Sequence, residues 1–198
     1  MPLPLEMGSV NNTIGGIKLD KPFIVSISSI SGGGKTAVTK ALVHNLDHAV
    51  GFYFDSYDYK KQPDNIGEWI DHGANPDAWD LSLIENDVYA AIQSGKYQYI
   101  VIDYPFGKDI KYNLGKLIDL SVLIDTPLDI ALSRRIIRDF SDKTKDDILR
   151  ELLVYPTIRK YFVYYRHNGS TSYFDFIIDG CLSICEIVDE IKGKMLLT

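Results

Sequence analysis

The chain has 198 residues, of which 45% are hydrophobic and 24% are charged, and its formal net charge is −6. This composition suits one globular domain and excludes a wholly disordered chain. The sequence has no dense run of Lys and Arg, which argues against a nucleic-acid-binding protein because affinity for a phosphate backbone needs clustered positive charge.

Residues 1–22 are punctuated by Pro and Gly, and we predict an N-terminal extension that is either loosely held or folded as a short hairpin around Gly15 and Gly16. From Phe23 onward, short β-branched strands alternate with helices, a pattern typical of a parallel sheet covered on both faces. The sequence therefore predicts an α/β domain over residues 23–198 with a five-stranded, mostly parallel sheet. The predicted strands are 23–28, 51–55, 97–103, 120–125 and 174–178, and the predicted helices are 35–46, 81–94, 127–140, 146–164 and 184–195.

The sequence also predicts a cytoplasmic protein without a membrane segment. No apolar run approaches the length of a membrane span. Two cysteines, Cys181 and Cys185, and no recognisable signal peptide fit a reducing compartment. We predict that both thiols are buried, since no other Cys and no nearby His completes a metal or redox site.

A glycine-rich segment lies between the first predicted strand and its helix, where residues 29–36 read Ser-Ile-Ser-Gly-Gly-Gly-Lys-Thr. Glycines let the backbone fold tightly and aim N–H groups at phosphate oxygens, and the helix N-terminus adds partial positive charge. Lys35 would reach the β- and γ-phosphates, and the Thr36 hydroxyl would join a magnesium shell. The pattern departs from the expected one at its first position, where Ser29 replaces Gly. We predict a Walker A loop that binds ATP through Ser31, Gly32, Gly33, Gly34, Lys35, Thr36 and Ala37.

Other classes of P-loop protein fit less well. A GTPase reads its base with Asn/Thr-Lys-x-Asp at a strand end, whereas residues 144–147 match those letters without following a strand. A switch-type Asp-x-x-Gly is missing after the third predicted strand, where residues 103–107 have one residue too many. The chain is short for an ABC or AAA module and has no ABC-type Ser-Gly-Gly signature away from the loop itself. A small-molecule kinase remains.

Four segments, in the expected order, resemble the uridine kinase-like branch of P-loop kinases, which includes relatives such as phosphoribulokinase. They are 31–36 (Ser-Gly-Gly-Gly-Lys-Thr), 54–57 (Phe-Asp-Ser-Tyr), 75–80 (Asn-Pro-Asp-Ala-Trp-Asp), and 123–126 (Leu-Ile-Asp-Thr) continuing through 132–139 (Leu-Ser-Arg-Arg-Ile-Ile-Arg-Asp). The resemblance spans residues 23 to about 180. It implies a P-loop NTPase three-layer sandwich with a small helical lid around 134–166. It also implies an enzyme that uses ATP and Mg²⁺ to phosphorylate a hydroxyl group of a small molecule.

The resemblance assigns roles to two acidic residues at predicted strand ends. Asp55 occupies the place of the family's catalytic Asp, where a carboxylate would accept the proton of the substrate hydroxyl and help to hold magnesium. Asp103 stands where the family usually has a magnesium-associated Glu. A strand-end turn residue and a structural acid are the alternatives. The predicted metal ligands are therefore Thr36, Asp55 and Asp103.

Three arginines fall within five residues and match the family's Arg-Arg-x-x-Arg-Asp. Arg134 and Arg138 are four residues apart, so they share one helix face, with Arg135 beside them. In a kinase lid such side chains clamp phosphates and stabilise the charge in transfer, although a solvated helix face is the alternative. We predict Lys35, Asp55, Arg134 and Arg138 as catalytic residues and Arg135 as a nucleotide ligand.

The resemblance fails at the acceptor. The hairpin that holds the nucleoside base in uridine kinases is absent, and Ala74 replaces the ribose-binding Asp, with Asp71 and His72 as nearby substitutes whose spacing does not match. The pocket would come from residues 57–79 and 104–106, and five aromatic residues there could stack on a planar group or belong to the core: Tyr57, Tyr59, Trp69, Trp79 and Phe106. A nucleoside is the first candidate acceptor, another sugar or a vitamin-like alcohol the second, and a regulatory nucleotide-binding protein or slow ATPase the alternative of another class. We expect no nucleic-acid or membrane partner and leave a homo-oligomer open.

Overall fold

The computed structural model describes residues 13–14, 17–18, 21–169 and 173–198; side chains at 13–14, 17–18, 158, 161–162 and 164–169 lie outside the description. Two short strands, β1 (Thr13–Ile14) and β2 (Ile17–Lys18), pair antiparallel within the predicted extension. The sequence predicts either a loosely held extension or a short hairpin around Gly15 and Gly16. These two glycines lie outside the described residues. The boundary of the extension at residue 22 stays a prediction.

The body of the molecule is a five-stranded sheet in which every strand is parallel to its neighbours. Its strands are β3 (Phe23–Ser29), β4 (Ala49–Tyr53), β5 (Tyr99–Asp103), β6 (Leu120–Asp125) and β7 (Phe176–Asp179). They lie in the order β4-β5-β3-β6-β7. The three central strands are almost wholly buried, as expected when helices cover both faces of a parallel sheet. The predicted α/β sandwich is confirmed.

Six α-helices are present in the described part of the chain. They are α1 (Lys35–His44), α2 (Ile66–Asp71), α3 (Ser82–Gln93), α4 (Leu128–Phe140), α5 (Lys145–Gly169) and α6 (Ile184–Met195). The sequence analysis missed only α2, whose six residues are too few to show a helical period. Asn65 starts it, since its side-chain oxygen accepts hydrogen bonds from the N–H groups of Gly67 and Glu68. None of the helices in the described ranges is both long and apolar enough to cross a membrane.

The segment whose letters match a GTPase motif begins helix α5. The Thr144 hydroxyl donates to Asp147 Oδ2 at 2.7 Å and accepts a hydrogen bond from the Asp147 N–H at 3.3 Å. This reciprocal pair is a helix N-terminus rather than a strand end. The structure thus agrees with treating the match as a coincidence.

The sheet separates two apolar cores, because successive strand side chains point to opposite faces. Val25 and Ile27 face a core built with α1 and α6. Ile24 faces a core built with α3 and a cluster of aromatic rings. The predicted burial of the two thiols is wrong: Cys181 and Cys185 are both exposed, because the buried stripe of α6 starts two residues later, at Ile187.

Phe106 is the centre of the aromatic cluster. It is fully buried, stacks on Tyr112 with ring centroids 4.4 Å apart, and meets Tyr104 edge-on at 5.2 Å. We expect Phe106→Ala to lower the free energy of unfolding by about 3–5 kcal/mol, measured by urea denaturation, because it leaves a cavity among rigid rings. Ile110→Ala, at a neighbouring side chain that is 71% exposed, is the control and should change stability by less than about 0.5 kcal/mol. Equal effects at both positions would contradict this assignment of the core.

Candidate active site

The phosphate loop connects β3 to α1 and packs directly on α4. A Cβ on Gly32 would lie 2.1 Å from the carbonyl oxygen of Ala131 in α4, so only glycine fits there. Gly34, which precedes the first residue of α1, has φ +100°, in the region that favours glycine. The loop therefore has the tight backbone that the Walker A pattern predicts, and it ends at a helix N-terminus.

Ser29, the departure from the Walker A pattern, has a structural role. Its hydroxyl is buried and donates a hydrogen bond to the carbonyl oxygen of Ile124 in β6, at 2.8 Å. The Thr126 hydroxyl, just beyond β6, donates to the Gly33 carbonyl oxygen, also at 2.8 Å. The loop is thus fastened to β6 at two points, and Ser29 is compatible with a phosphate-binding loop.

A cavity of about 460 Å³ opens over the phosphate loop, and we call it the phosphate cavity. Two of the three predicted lid arginines, Arg134 and Arg138, line it together with loop residues. Lys40 also lines it and was not predicted; its place one helical turn after Thr36 is the signal that could have shown it. The described lining residues are Gly32, Gly34, Lys35, Thr36, Ala37, Lys40, Arg134 and Arg138.

Arg138 stays charged in this cavity. Its Nε and Nη2 donate to the two carboxylate oxygens of Asp139 at 2.6 and 2.8 Å. This hydrogen bonding raises the pKa of Arg138, with a smaller contribution from the charge of Asp55, and lowers the pKa of Asp139. Asp139 therefore partly neutralises Arg138.

The predicted acids meet the loop lysine at the carboxyl ends of adjacent parallel strands. Lys35 Nζ lies 2.8 Å from Asp55 Oδ2 and 3.4 Å from Asp103 Oδ1. The Thr36 hydroxyl donates to Asp103 Oδ2 at 2.5 Å. Asp55, in the turn after β4, has a largely exposed side chain, whereas Asp103, the last residue of β5, is fully buried. The structure thus brings together four residues that the sequence placed at one site.

Burial and charge act differently on the two buried members of this cluster. Burial alone would lower the pKa of Lys35, but the charges of Asp103 and Asp55 outweigh it and raise that pKa. Burial raises the pKa of Asp103, although Lys35 and Thr36 oppose the change. The ammonium gains from two carboxylates, while Lys35 is the one cation near the buried carboxyl in the described part of the chain. Lys35 is therefore held charged, and ionised Asp103 is held at some expense in stability.

The residues fit a magnesium site that a nucleotide completes. Asp103 Oδ1 is buried and makes no hydrogen bond within the described part of the chain, while it faces Lys35 across 3.4 Å. No group of three or more His, Cys, Asp or Glu side chains that could hold a metal is found among the described residues. Mg²⁺ usually takes one or two carboxylates together with phosphate oxygens and water, so such a group is not required. Thr36 and Asp103 provide the kind of partial oxygen set that this ion prefers.

The variant Asp103→Asn distinguishes a role of Asp103 in magnesium binding from a role in the stability of the fold. The pKa of Asp103 is raised in the folded protein, so the folded state binds this proton more tightly than the unfolded chain does. The stability gained in this way is fully present below the ordinary pKa of Asp and is lost as the pH rises through the raised pKa. At mildly alkaline pH we therefore expect the free variant to melt at the same or a higher temperature than the wild type. Magnesium added to ATP should raise the melting temperature of the wild type and not that of the variant, with ATP alone as the control. A full magnesium increment in the variant would show that Asp103 is not a ligand.

A second cavity, of about 340 Å³, lies beside the first, and we call it the acceptor cavity. Lys35 lines both cavities and therefore stands where they join. Asp55 and Arg135 also line the acceptor cavity, and most of the remaining wall is apolar. The described lining residues are Ser29, Ile30, Ser31, Lys35, Phe54, Asp55, Ile66, Trp79, Pro105 and Arg135.

Few of the five aromatic residues that the sequence suggested for the acceptor pocket line the acceptor cavity. Of the five, only Trp79 is among its described lining residues. Tyr59, Trp69 and Phe106 are buried in the aromatic core, and the Tyr57 hydroxyl donates to Asp87 on α3 at 2.9 Å. The sequence did not show that Phe54 and Ile66 would form the wall, because neither stands out from ordinary core residues.

The suggested substitutes for the ribose-binding Asp are engaged elsewhere. Asp71, the last residue of α2, forms an ion pair with Lys160 of α5. His72 Nδ1 lies 2.6 Å from the carbonyl oxygen of Glu68. Ala74, at the family's Asp position, is buried with φ +52°. These observations give no support for a ribose-binding role of Asp71 or His72.

Arg135 lines the acceptor cavity, unlike the other two arginines of its motif. Its Nη1 donates to the Ser31 hydroxyl at 2.6 Å, and its Nε donates to Glu151 Oε1 at 2.9 Å. Glu151 belongs to α5 and was not predicted, since nothing in the sequence distinguishes it from a solvated acid on a charged helix. The nucleotide-binding role of Arg135 stays a prediction.

Known proteins resemble the chain in sequence and in fold. No protein-family model matches it. It is 26% identical over 205 residues to the uridine kinase of Streptococcus agalactiae serotype III (strain NEM316), an alignment that covers 88% of this chain and 95% of that protein. The solved structure of the Deinococcus radiodurans tunicamycin resistance protein superposes with a TM-score of 0.52 at 15% identity, covering 88% of this chain and 95% of that one. A Silicibacter sp. TM1040 protein named as a fructose transport system kinase gives a TM-score of 0.53 at 11% identity, covering 81% and 91%.

The two structural likenesses show a shared fold, and the sequence likeness to a uridine kinase extends over most of both chains. Both agree with the four motifs described above. The chain has the α/β fold of P-loop kinases, and its resemblance to the uridine kinase-like branch is confirmed.

Proposed function

We propose that the chain is an ATP-dependent kinase that transfers the γ-phosphate to a hydroxyl group of a small molecule. The observation that carries this proposal is the position of Lys35, which lines both cavities with Asp55 2.8 Å away. Phosphoryl transfer needs a donor phosphate, an acceptor hydroxyl and a base at one junction. The sequence similarity to a uridine kinase, which extends over most of both chains, supports the same proposal.

The residues at the junction have separate tasks in this proposal. Lys35, Arg134 and Arg138 would neutralise the donor phosphates, and positioned charge of this kind is the main source of catalysis in phosphoryl transfer. Thr36 and Asp103 would hold Mg²⁺, which supplies further neutralisation of phosphate oxygens when bound. A donor phosphate competes with Asp55 for Lys35 and so releases the Asp55 carboxylate. Asp55 would then accept the proton of the acceptor hydroxyl.

The walls of the acceptor cavity favour an acceptor with a planar, largely apolar body. Phe54, Ile66, Trp79 and Pro105 supply that surface, and aromatic faces stack well on planar rings. A nucleoside fits this description and is the first proposed acceptor. A vitamin-like heteroaromatic alcohol fits it equally, and the engagement of Asp71 with Lys160 favours it as the second candidate, since a ribose diol needs polar partners.

The test is release of ADP from Mg-ATP in the presence of a panel of nucleosides, sugars and vitamin alcohols. We expect one of the planar compounds to stimulate turnover strongly, with its phosphorylated product identified by mass spectrometry. Lys35→Ala, assayed with the same compounds, is the control for contaminating kinases. If ATP binds but no compound stimulates turnover, the kinase proposal is wrong, and a regulatory protein or a slow ATPase takes its place.

A further inference from the structure

Glu151 of α5 and Arg135 of α4 form a largely buried ion pair beside the phosphate loop. Arg135 Nη2 lies 2.8 Å from Glu151 Oε1, and the Nε hydrogen bond reaches the same oxygen. Only 20% of the Arg135 side chain and 14% of the Glu151 side chain are exposed, against 59% for Arg138 in its pair with Asp139. Two contacts to Glu151 and one to Ser31 together fix the plane of the guanidinium, because its N–H groups point in set directions.

A carboxylate so close to the phosphate loop requires an explanation. Without a counter-charge, Glu151 would repel an anionic donor, and its own burial would be unfavourable. Paired, it neutralises Arg135 and keeps that side chain at the acceptor cavity, whereas Arg134 and Arg138 line the phosphate cavity. The guanidinium carries more N–H donors than these three contacts use, so Arg135 can still donate to a ligand.

Helix α5 also packs against a second element that lines the same cavity. It packs against α2, whose first residue, Ile66, lines the acceptor cavity. The two helices approach closely, since a Cβ on Gly67 would lie 2.2 Å from Thr157 Cγ2. The Asp71–Lys160 ion pair joins them again. Helix α5 therefore contacts Arg135 through Glu151 and, beyond Pro156, packs against α2, which begins with Ile66.

We propose that Glu151 is a positioning residue for the acceptor, which acts by holding Arg135 against Ser31 and links that contact to α2 through α5. The inference rests on the kinase function proposed above. It assigns Arg135, which the sequence predicts as a nucleotide ligand, to the acceptor instead, because Arg135 lines the acceptor cavity. It requires that loss of Glu151 change the binding of the acceptor and not that of the nucleotide, and that the effect pass through Arg135.

The experiment compares steady-state kinetics of the wild type with Glu151→Ala and Glu151→Gln, using the acceptor that gives the strongest turnover in the panel. We expect Glu151→Ala to raise the acceptor KM about tenfold while the KM for ATP changes less than about twofold. Glu151→Gln keeps an oxygen that can accept from Arg135 and should retain an acceptor KM within about threefold of the wild type. Arg150→Ala, at the exposed residue that precedes Glu151 on the same helix, is the matched control.

A double-mutant cycle with Arg135→Ala tests the route. If Glu151 acts through Arg135, removing Glu151 from the Arg135→Ala protein should change the acceptor KM by less than about twofold. Additive effects, or equal changes in both KM values, would overturn the positioning role. So would a lower melting temperature of Glu151→Ala with unchanged kinetics. A wild type that no acceptor stimulates would instead overturn the kinase function itself, and with it the reason for a positioning residue.

Discussion

Replacing Asp55 by Asn is expected to slow phosphoryl transfer by roughly 100- to 10,000-fold, the range found when a general base is removed. Asn cannot accept the proton of the acceptor hydroxyl, although it keeps the size and shape of Asp. The side chain is largely exposed in the turn after β4, so the fold should tolerate the change. The measurement is kcat with saturating Mg-ATP, together with the dissociation constant of ATP.

ATP should bind the Asp55→Asn protein at least as well as the wild type, because the variant no longer competes with the phosphates for Lys35. Asp58→Asn, an exposed carboxylate three residues away, is the matched control and should leave kcat unchanged. A variant that transfers phosphate at the full rate with normal ATP affinity would show that Asp55 is not the base.

Lys35→Ala should lower kcat by about 100- to 1,000-fold, the effect of removing one fixed charge that stabilises a transition state. It should also weaken ATP binding, since Lys35 lines the phosphate cavity and is held charged by Asp55 and Asp103. Calorimetric titration of ATP and initial rates are the two measurements. If the Lys35→Ala protein kept both its affinity for ATP and its turnover, Lys35 would not belong to the active site.

The same substitution should destabilise the free protein, which gives a readout without any substrate. Asp103 is fully buried and would lose its only nearby cation among the described residues. A buried charge left without its partner is strongly destabilising. Lys60→Ala, at an exposed lysine, is the control for loss of a positive charge and should leave the melting temperature unchanged.

Much of the fold could be predicted because its signals are local. The β-branched runs that begin at Phe23 and Leu120 identify buried strands, and the glycines before Lys35 identify the loop. Asp55 and Asp103 could be placed at one edge of the sheet, since the carboxyl ends of parallel strands meet there. In these cases a few neighbouring residues carry the whole signal.

The parts that could not be predicted depend on distant contacts. Arg134 and Arg135 are adjacent in sequence, yet they line different cavities because Glu151, sixteen residues later, holds one of them. Trp79 and Phe106 look alike in sequence, but one lines the acceptor cavity and the other fills the core. Ser29 departs from the Walker A pattern, and its hydrogen bond to the distant Ile124 gives it a structural role. Such choices are made by tertiary packing, which no local pattern encodes.

The strand order has a consequence for how the molecule forms. Val25, in the strand that leads into the phosphate loop, pairs with Val101 on one side and with Leu120 on the other. A growing chain that has released β3 from the ribosome must therefore wait for β5, which ends at Asp103, before that strand finds its first neighbour, and such distant pairing is slow. The loop itself is fastened by Ile124 and Thr126, so its contacts are complete only after β6 has emerged. Until β5 has emerged, β3 is an unpaired apolar strand that is exposed to aggregation.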